Sequence, residues 1–171
     1  MKRVMVFGKP GGGKSSLAKY LAAQAGLPLH PLDLIQYRQN GEMMPRDAFL
    51  EAHQDVIDGE QWVVDGLGTL ETFWRRVDAA DTLVYVDLPY PRHYWWVTKR
   101  WLVSLWRKPE GWPEGASVWK GTLASWRALK MSPRFWNEAL LEKLEEKAAG
   151  KRLIHVRSVR ELKRLGVSFK G

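Results

Sequence analysis

Eight residues near the N-terminus, Gly8-Lys9-Pro10-Gly11-Gly12-Gly13-Lys14-Ser15, match the pattern G-x-x-x-x-G-K-[ST] at every fixed position. Glycines at this spacing let consecutive backbone N–H groups turn inward. A helix opening directly behind them adds the positive end of its dipole, and the two together make a nest for a polyphosphate anion. Lys14 is placed to reach the β- and γ-phosphates, and the Ser15 hydroxyl to ligate Mg²⁺. The contact surface runs from Gly8 to Ser16, and the expected ligands are ATP and Mg²⁺.

A site of this kind takes a carboxylate from the end of a neighbouring strand to hold the magnesium through water. Asp65 ends the apolar triplet Trp62-Val63-Val64 and precedes Gly66, which suits a strand tip at the carboxyl edge of a sheet. Asp33 closes another short apolar run and would face the same edge. Either carboxylate could instead cap a loop. Asp87, inside an apolar run and before Leu88-Pro89, reads as structural. The chain has no cysteine, which excludes disulfides, thiolate zinc sites and a cysteine nucleophile. Its four histidines show no metal-binding spacing, so a metal held by protein ligands alone is not expected.

Charge is placed unevenly. Residues 1–89 carry 9 basic and 12 acidic groups, residues 90–136 carry 9 and 2, and residues 137–171 carry 9 and 5, nets of −3, +7 and +4 that sum to the chain's +8. The basic middle also holds eight of the ten tryptophans: Trp95, Trp96, Trp101, Trp106, Trp112, Trp119, Trp126 and Trp136. Within it, the apolar run 94–106 contains Lys99 and Arg100 and is too short to span a bilayer, although an interfacial helix is conceivable. The first seven residues run straight into the glycine loop and do not resemble a secretory signal, so a cytoplasmic location without membrane attachment is expected.

The elements that must position these residues follow from periodicity. Residues 4–7 form a strand, and Leu17, Ala18, Leu21, Ala22 and Ala25 lie at helical spacing behind the loop. Extended segments are expected at 29–32, 62–64, 82–88 and 152–156, with Asp33 ending the second strand. Helices are expected at 45–58, 70–79, 91–106, 122–130 and 133–148, with a loop at 108–121. Ser158-Val159-Arg160-Glu161 is a capping-box pattern opening a last short helix that stops near Gly166. Five strands alternating with helices imply an α/β fold, a parallel sheet covered on both faces. With 171 residues and no convincing linker, the chain reads as a single domain, 1–171.

In their order these segments resemble the adenylate-kinase-like branch of P-loop kinases, most closely the bacterial DNA topology modulation proteins. The resemblance is carried by the loop at 8–15, Leu32-Asp33, Pro45-Arg46, Trp62-Val63-Val64-Asp65-Gly66, Asp87-Leu88-Pro89, Lys99-Arg100, Ser132-Pro133, and Arg157-Ser158 with Glu161. It implies the three-layer P-loop nucleoside triphosphate hydrolase fold, with strand order 2-3-1-4-5. It implies an α-helical, arginine-bearing lid, placed at about 92–134, and a turn after the last strand where Arg157 and Ser158 hold the adenine ring. Arg100, Arg107 and Arg92, in that order, are then the guanidinium groups expected to close over the transferring phosphoryl, with tryptophans packing the lid and excluding water.

The departures concern the acceptor. Adenylate kinases follow the equivalent aspartate with an arginine three positions on, whereas Asp33 is followed by Leu34, Ile35 and Gln36, and Arg38 comes two residues late. They also carry D-G-F-P-R where this chain reads Asp65-Gly66-Leu67-Gly68-Thr69. AMP is therefore not the expected acceptor. In small-metabolite kinases of the resembled fold an aspartate placed like Asp33 orients or deprotonates an acceptor hydroxyl. The expected function is thus a small kinase moving the γ-phosphoryl of Mg·ATP to a hydroxyl or phosphate acceptor, with Lys14, Asp33 and the three arginines as catalytic residues and Asp65 and Ser15 at the metal. The alternative is a nucleotide-regulated DNA topology modulation protein whose tryptophan- and arginine-rich segment contacts nucleic acid.

Overall fold

Period-2 alternation of apolar side chains continues through the central strands without a polar face, so both sides of the sheet must be covered. The computed structural model describes residues 1–38, 42–106 and 118–168 and shows how. Five strands, β1 (Arg3–Gly8), β2 (Leu29–Pro31), β3 (Trp62–Asp65), β4 (Thr82–Val86) and β5 (Arg152–Val156), pair in the order β2-β3-β1-β4-β5, all parallel. Met5, Phe7, Trp62, Val64, Leu83 and Tyr85 enter one core; Val4, Val6, Val63, Val84 and Val86 enter the other.

The second core is closed by α1 (Lys14–Ala25), through Leu17 and Leu21, with Leu162 of α8 (Val159–Ser168) packed at its edge. Packed on the first core are α3 (Arg46–Ile57), α4 (Leu70–Ala79) and α7 (Glu138–Lys147), with Leu32 of the short α2 (Leu32–Gln36). The remaining pair, α5 (Tyr90–Ser104) and α6 (Val118–Met131), pack against each other through Trp101 and Trp119, ring centroids 5.1 Å apart, and Trp126, 6.1 Å from Trp119. The fold class and strand order agree with the expectation from sequence.

Three local readings are corrected. The second strand ends at Pro31, and Asp33 lies in the first turn of α2 rather than at a strand tip. The helix expected over 133–148 is two elements: Ser132-Pro133-Arg134 form a 3₁₀ turn, and Asn137 restarts the chain by accepting the Leu140 N–H on its side-chain oxygen at 3.0 Å. Between them Trp136 drops into the first core, stacked on Tyr85 at 5.4 Å, so it is a core residue and not a lid tryptophan. Residues 118–121, read as loop, are the first turn of α6. The rest of that loop, with Arg107 and Trp112, lies outside the described residues.

Candidate active site

The glycine loop leaves β1 at the carboxyl edge of the sheet, and its backbone is forced by what lies behind it. Gly8 has φ +143°, and a Cβ there would fall 2.1 Å from the Val86 carbonyl oxygen of the neighbouring strand. Gly11 has φ +69°, with its missing Cβ 2.5 Å from a Val97 methyl carbon on α5. Only glycine meets both demands. Helix α5 is therefore seated directly on the loop, and His93 adds a hydrogen bond from Nδ1 to the Pro10 carbonyl at 2.8 Å. The buried His93 imidazole is held neutral, its pKa lowered to about 4 chiefly by desolvation.

Within the loop, Lys14 opens α1 and donates from Nζ to the Lys9 carbonyl at 2.7 Å. Burial lowers its pKa to about 8; the charges of Asp65 and Asp33 oppose that shift and Arg100 adds to it. Two carboxylates and one guanidinium are thus coupled electrostatically to the amine. Asp65, buried at the tip of β3, is paired in register with Val6 of β1. Asp33 opens toward solvent, yet desolvation in the cleft raises its carboxyl pKa, Asp65 raises it further and Lys14 opposes. Ser15 and Ser16 sit in the first turn of α1 with exposed side chains.

The arginines divide. Arg100 lies half-buried on α5, donates toward Ser125 Oγ of α6 at 3.4 Å, and has its pKa lowered by burial. Arg92 is exposed in the first turn of α5 and lines a groove of about 380 Å³ with Trp95, Arg157, Ser158 and Val159. The turn carrying Arg157 is braced partly as the capping box predicts: Ser158 Oγ accepts the Glu161 N–H at 3.2 Å, while the Glu161 carboxylate reaches one residue further back and accepts the Arg157 N–H at 2.7 Å.

Sequence reading missed the side-chain contacts that brace this site. The side chain of Lys9 is buried and points away from the cradle, donating to Asp87 and, at 3.4 Å, to the Leu88 carbonyl, with its ammonium 4.6 Å from the centre of the Tyr90 ring. Asp87, read as structural, is thus the anchor of the loop and also meets His155 Nε2 at 3.1 Å. Arg76 of α4 is wholly buried and holds the turn after β3, donating to Gly66 O at 3.0 Å, to Leu67 O, and to Thr72 O at 3.1 Å. Burial lowers its pKa to about 9, against the charge of Asp65. Only Arg76 left a trace in the sequence, as a cation on the apolar stripe of a helix. Lys9–Asp87, Asp87–His155 and His93–Pro10 each close over 68 residues or more, and no local pattern encodes them.

Asp65 and Ser15 supply a carboxylate and a hydroxyl, and among the described residues no three His, Cys, Asp or Glu side chains are grouped. Such a sparse oxygen set does not suit a metal caged by protein. It fits Mg²⁺, which keeps waters and shares substrate phosphates with one or two protein ligands. Among the described residues no helix is long and apolar enough to cross a membrane.

No protein-family model matches the chain, and no curated protein matches it in sequence. Solved structures do match in shape. A shikimate kinase from Bacteroides thetaiotaomicron superposes with a TM-score of 0.55 at 13% identity, covering 99% of this chain and 96% of that one. The shikimate kinase from Acinetobacter baumannii, solved in complex with shikimate, gives a TM-score of 0.55 at 13% identity over 99% of this chain and 92% of that one. At this level of identity the likeness concerns the fold, and the five-stranded sheet with its helices is the α/β fold of P-loop kinases.

Proposed function

We propose that this chain is a small-molecule kinase that moves the γ-phosphoryl of Mg·ATP to an acceptor hydroxyl. The observation that carries the reading is the glycine loop at the sheet's carboxyl edge, with Gly8, Gly11 and Gly13 at positive φ and Lys14 opening α1 behind them; the electrostatic coupling of Lys14 to Asp65 and Asp33, and the upward shift of the Asp33 carboxyl, support it. Backbone N–H groups from Gly8 to Ser16 cradle the phosphates, and Lys14 exchanges the Lys9 carbonyl for a β/γ oxygen. Mg²⁺, when bound by Ser15 and by Asp65 through water, would neutralise charge on the phosphate oxygens. Asp33 accepts the acceptor's hydroxyl proton, a role that suits a carboxylate more basic than usual. Arg100 is the lid guanidinium coupled to Lys14, and Arg107, outside the described residues, is the second candidate. The pair α5–α6 is the described part of a lid at 92–134, and a cytoplasmic setting, where ATP is plentiful, suits this chemistry.

Arg92 belongs, on this reading, with Arg157 and Ser158 at the groove that takes the base, rather than at the phosphoryl group. The departures around Asp33 and Gly66 from the AMP-binding pattern point to a hydroxyl rather than a nucleotide acceptor. No observation favours the nucleic-acid alternative: Trp136 is in the core, and Trp101, Trp119 and Trp126 pack on one another.

The test is acceptor-dependent ADP release from Mg·ATP across a panel of polyols and hydroxy acids that includes shikimate. Lys14→Ala should abolish turnover, and Asp33→Asn should lower kcat by roughly 10²-fold or more while ATP still binds. Hydrolysis indifferent to every acceptor, or undiminished in Asp33→Asn, would refute the assignment.

A further inference from the structure

A chain of side chains that phosphate binding does not require links the loop to the groove. Lys9 donates to one carboxylate oxygen of Asp87, and the other lies 3.1 Å from His155 Nε2. On the far side of the imidazole, Nδ1 lies 3.2 Å from both Nε and a terminal nitrogen of Arg157. A guanidinium nitrogen can only donate, so Nδ1 is the acceptor. The ring is then the neutral tautomer with its hydrogen on Nε2, donated to Asp87, and each contact in the chain agrees with its neighbours. The Tyr85 ring, 4.8 Å from the imidazole and within 15° of parallel, fixes its plane. Although burial alone would push the Asp87 carboxyl up, hydrogen bonds from Lys9 and His155 and the charge of Lys9 hold it below the usual range.

We propose that His155 is a positioning residue for nucleotide-base recognition: through Nδ1 it holds the exposed Arg157 guanidinium at the wall of the groove shared with Arg92 and Trp95, in the tautomer that Asp87 and Lys9 impose. The inference rests on the groove being the base site. It has a chemical consequence. Protonated His155 would present N–H at Nδ1 to a guanidinium that also only donates, removing the acceptor and setting two cations face to face. The groups around the ring are Asp87, Arg157 and the ring of Tyr85. Lys9, capped by Tyr90 of α5, acts through Asp87.

Calorimetric titration with Mg·ATP and with Mg·tripolyphosphate, which offers phosphates without a base, tests this on the full chain. His155→Gln keeps a donor for Asp87 and loses the Nδ1 acceptor; His155→Asn returns an oxygen near Nδ1. His155→Gln should weaken ATP about 3- to 10-fold, the scale of one net hydrogen bond, and change tripolyphosphate less than about twofold. His155→Asn should recover most of the loss, and adding His155→Gln to Arg157→Ala should cost nothing further. Equal loss of both ligands, or ATP affinity retained in His155→Gln but lost in Arg157→Ala, overturns the positioning role. ATP affinity retained in Arg157→Ala instead removes the base-site reading, and this inference with it. Should His155→Gln not fold, the unmodified chain decides: nitrogen NMR of its imidazole should show Nδ1 without a hydrogen and a shift of that nitrogen in Arg157→Ala; a hydrogen on Nδ1, or no change in Arg157→Ala, overturns the proposal.

Discussion

Lys14 is the residue at which two demands conflict, because an ammonium that must meet phosphates has been drawn into a loop that desolvates it. Burial lowers its pKa to about 8, with Asp65 and Asp33 holding it up and Arg100 pushing it down. Without nucleotide, its NMR titration should therefore fall near 8, below the exposed lysines. ATP should drive it upward, because a bound polyphosphate favours the cation. Arg100→Ala should raise it in the free protein. Titration near 10.5 together with the bulk lysines would deny the desolvated cradle. The motif made Lys14 and Ser15 legible because it is local, a few residues whose backbone shape and chemistry are inseparable. For Lys9 it specified a backbone position only, and the destination of its side chain, Asp87, lies 78 residues away.

At the scale of elements, the apolar runs located all five strands: β1, β3 and β4 are buried from both sides, and the edge strands β2 and β5, only half-buried, still stood out as short apolar runs. Periodicity failed where two local signals compete. Pro133 can start a helix, but Trp136 is wanted by the core and Asn137 caps a fresh start, so the helix begins five residues later. Helix α4 is the instructive case: its inward stripe Thr72, Phe73, Arg76 and Val77 is regular, and its start is closed by reciprocal Thr69–Thr72 hydrogen bonds. The stripe nonetheless carries a guanidinium, which ties down the turn bearing Gly66 and Leu67 beside Asp65. Arg76→Met fills similar space but leaves two loop carbonyls without donors. It should cost about 2–4 kcal/mol in urea unfolding, with Arg76→Lys intermediate. In turnover, the acceptor KM should rise more than the ATP KM. Wild-type stability in Arg76→Met would mean that the apolar stripe alone builds the turn.

Across the whole molecule, two histidines on different helices give stability a common dependence on pH. His53, on α3 against Phe49, has neither ring nitrogen hydrogen-bonded, and burial first, then Arg76 and Arg75, lower its pKa to about 4. His93, on α5 under the loop, is likewise lowered to about 4. Both ionise near 6.5 when the chain unfolds, so below that pH the unfolded state binds protons that the folded state refuses, and stability falls as pH drops from about 6.5 toward 4. Each histidine contributes a limiting slope of about 1.4 kcal/mol per pH unit. Asp33, with its raised pKa, takes up a proton more readily when folded and so opposes the fall only at the acid end. Urea unfolding between about pH 8 and pH 5 should show the decline below 6.5, and His53→Leu should halve its slope while leaving the His93 half intact. Because His53 makes no hydrogen bond, that substitution should not lower stability at pH 8. A flat profile, or a slope unchanged by His53→Leu, would show that these imidazoles are not held neutral by burial.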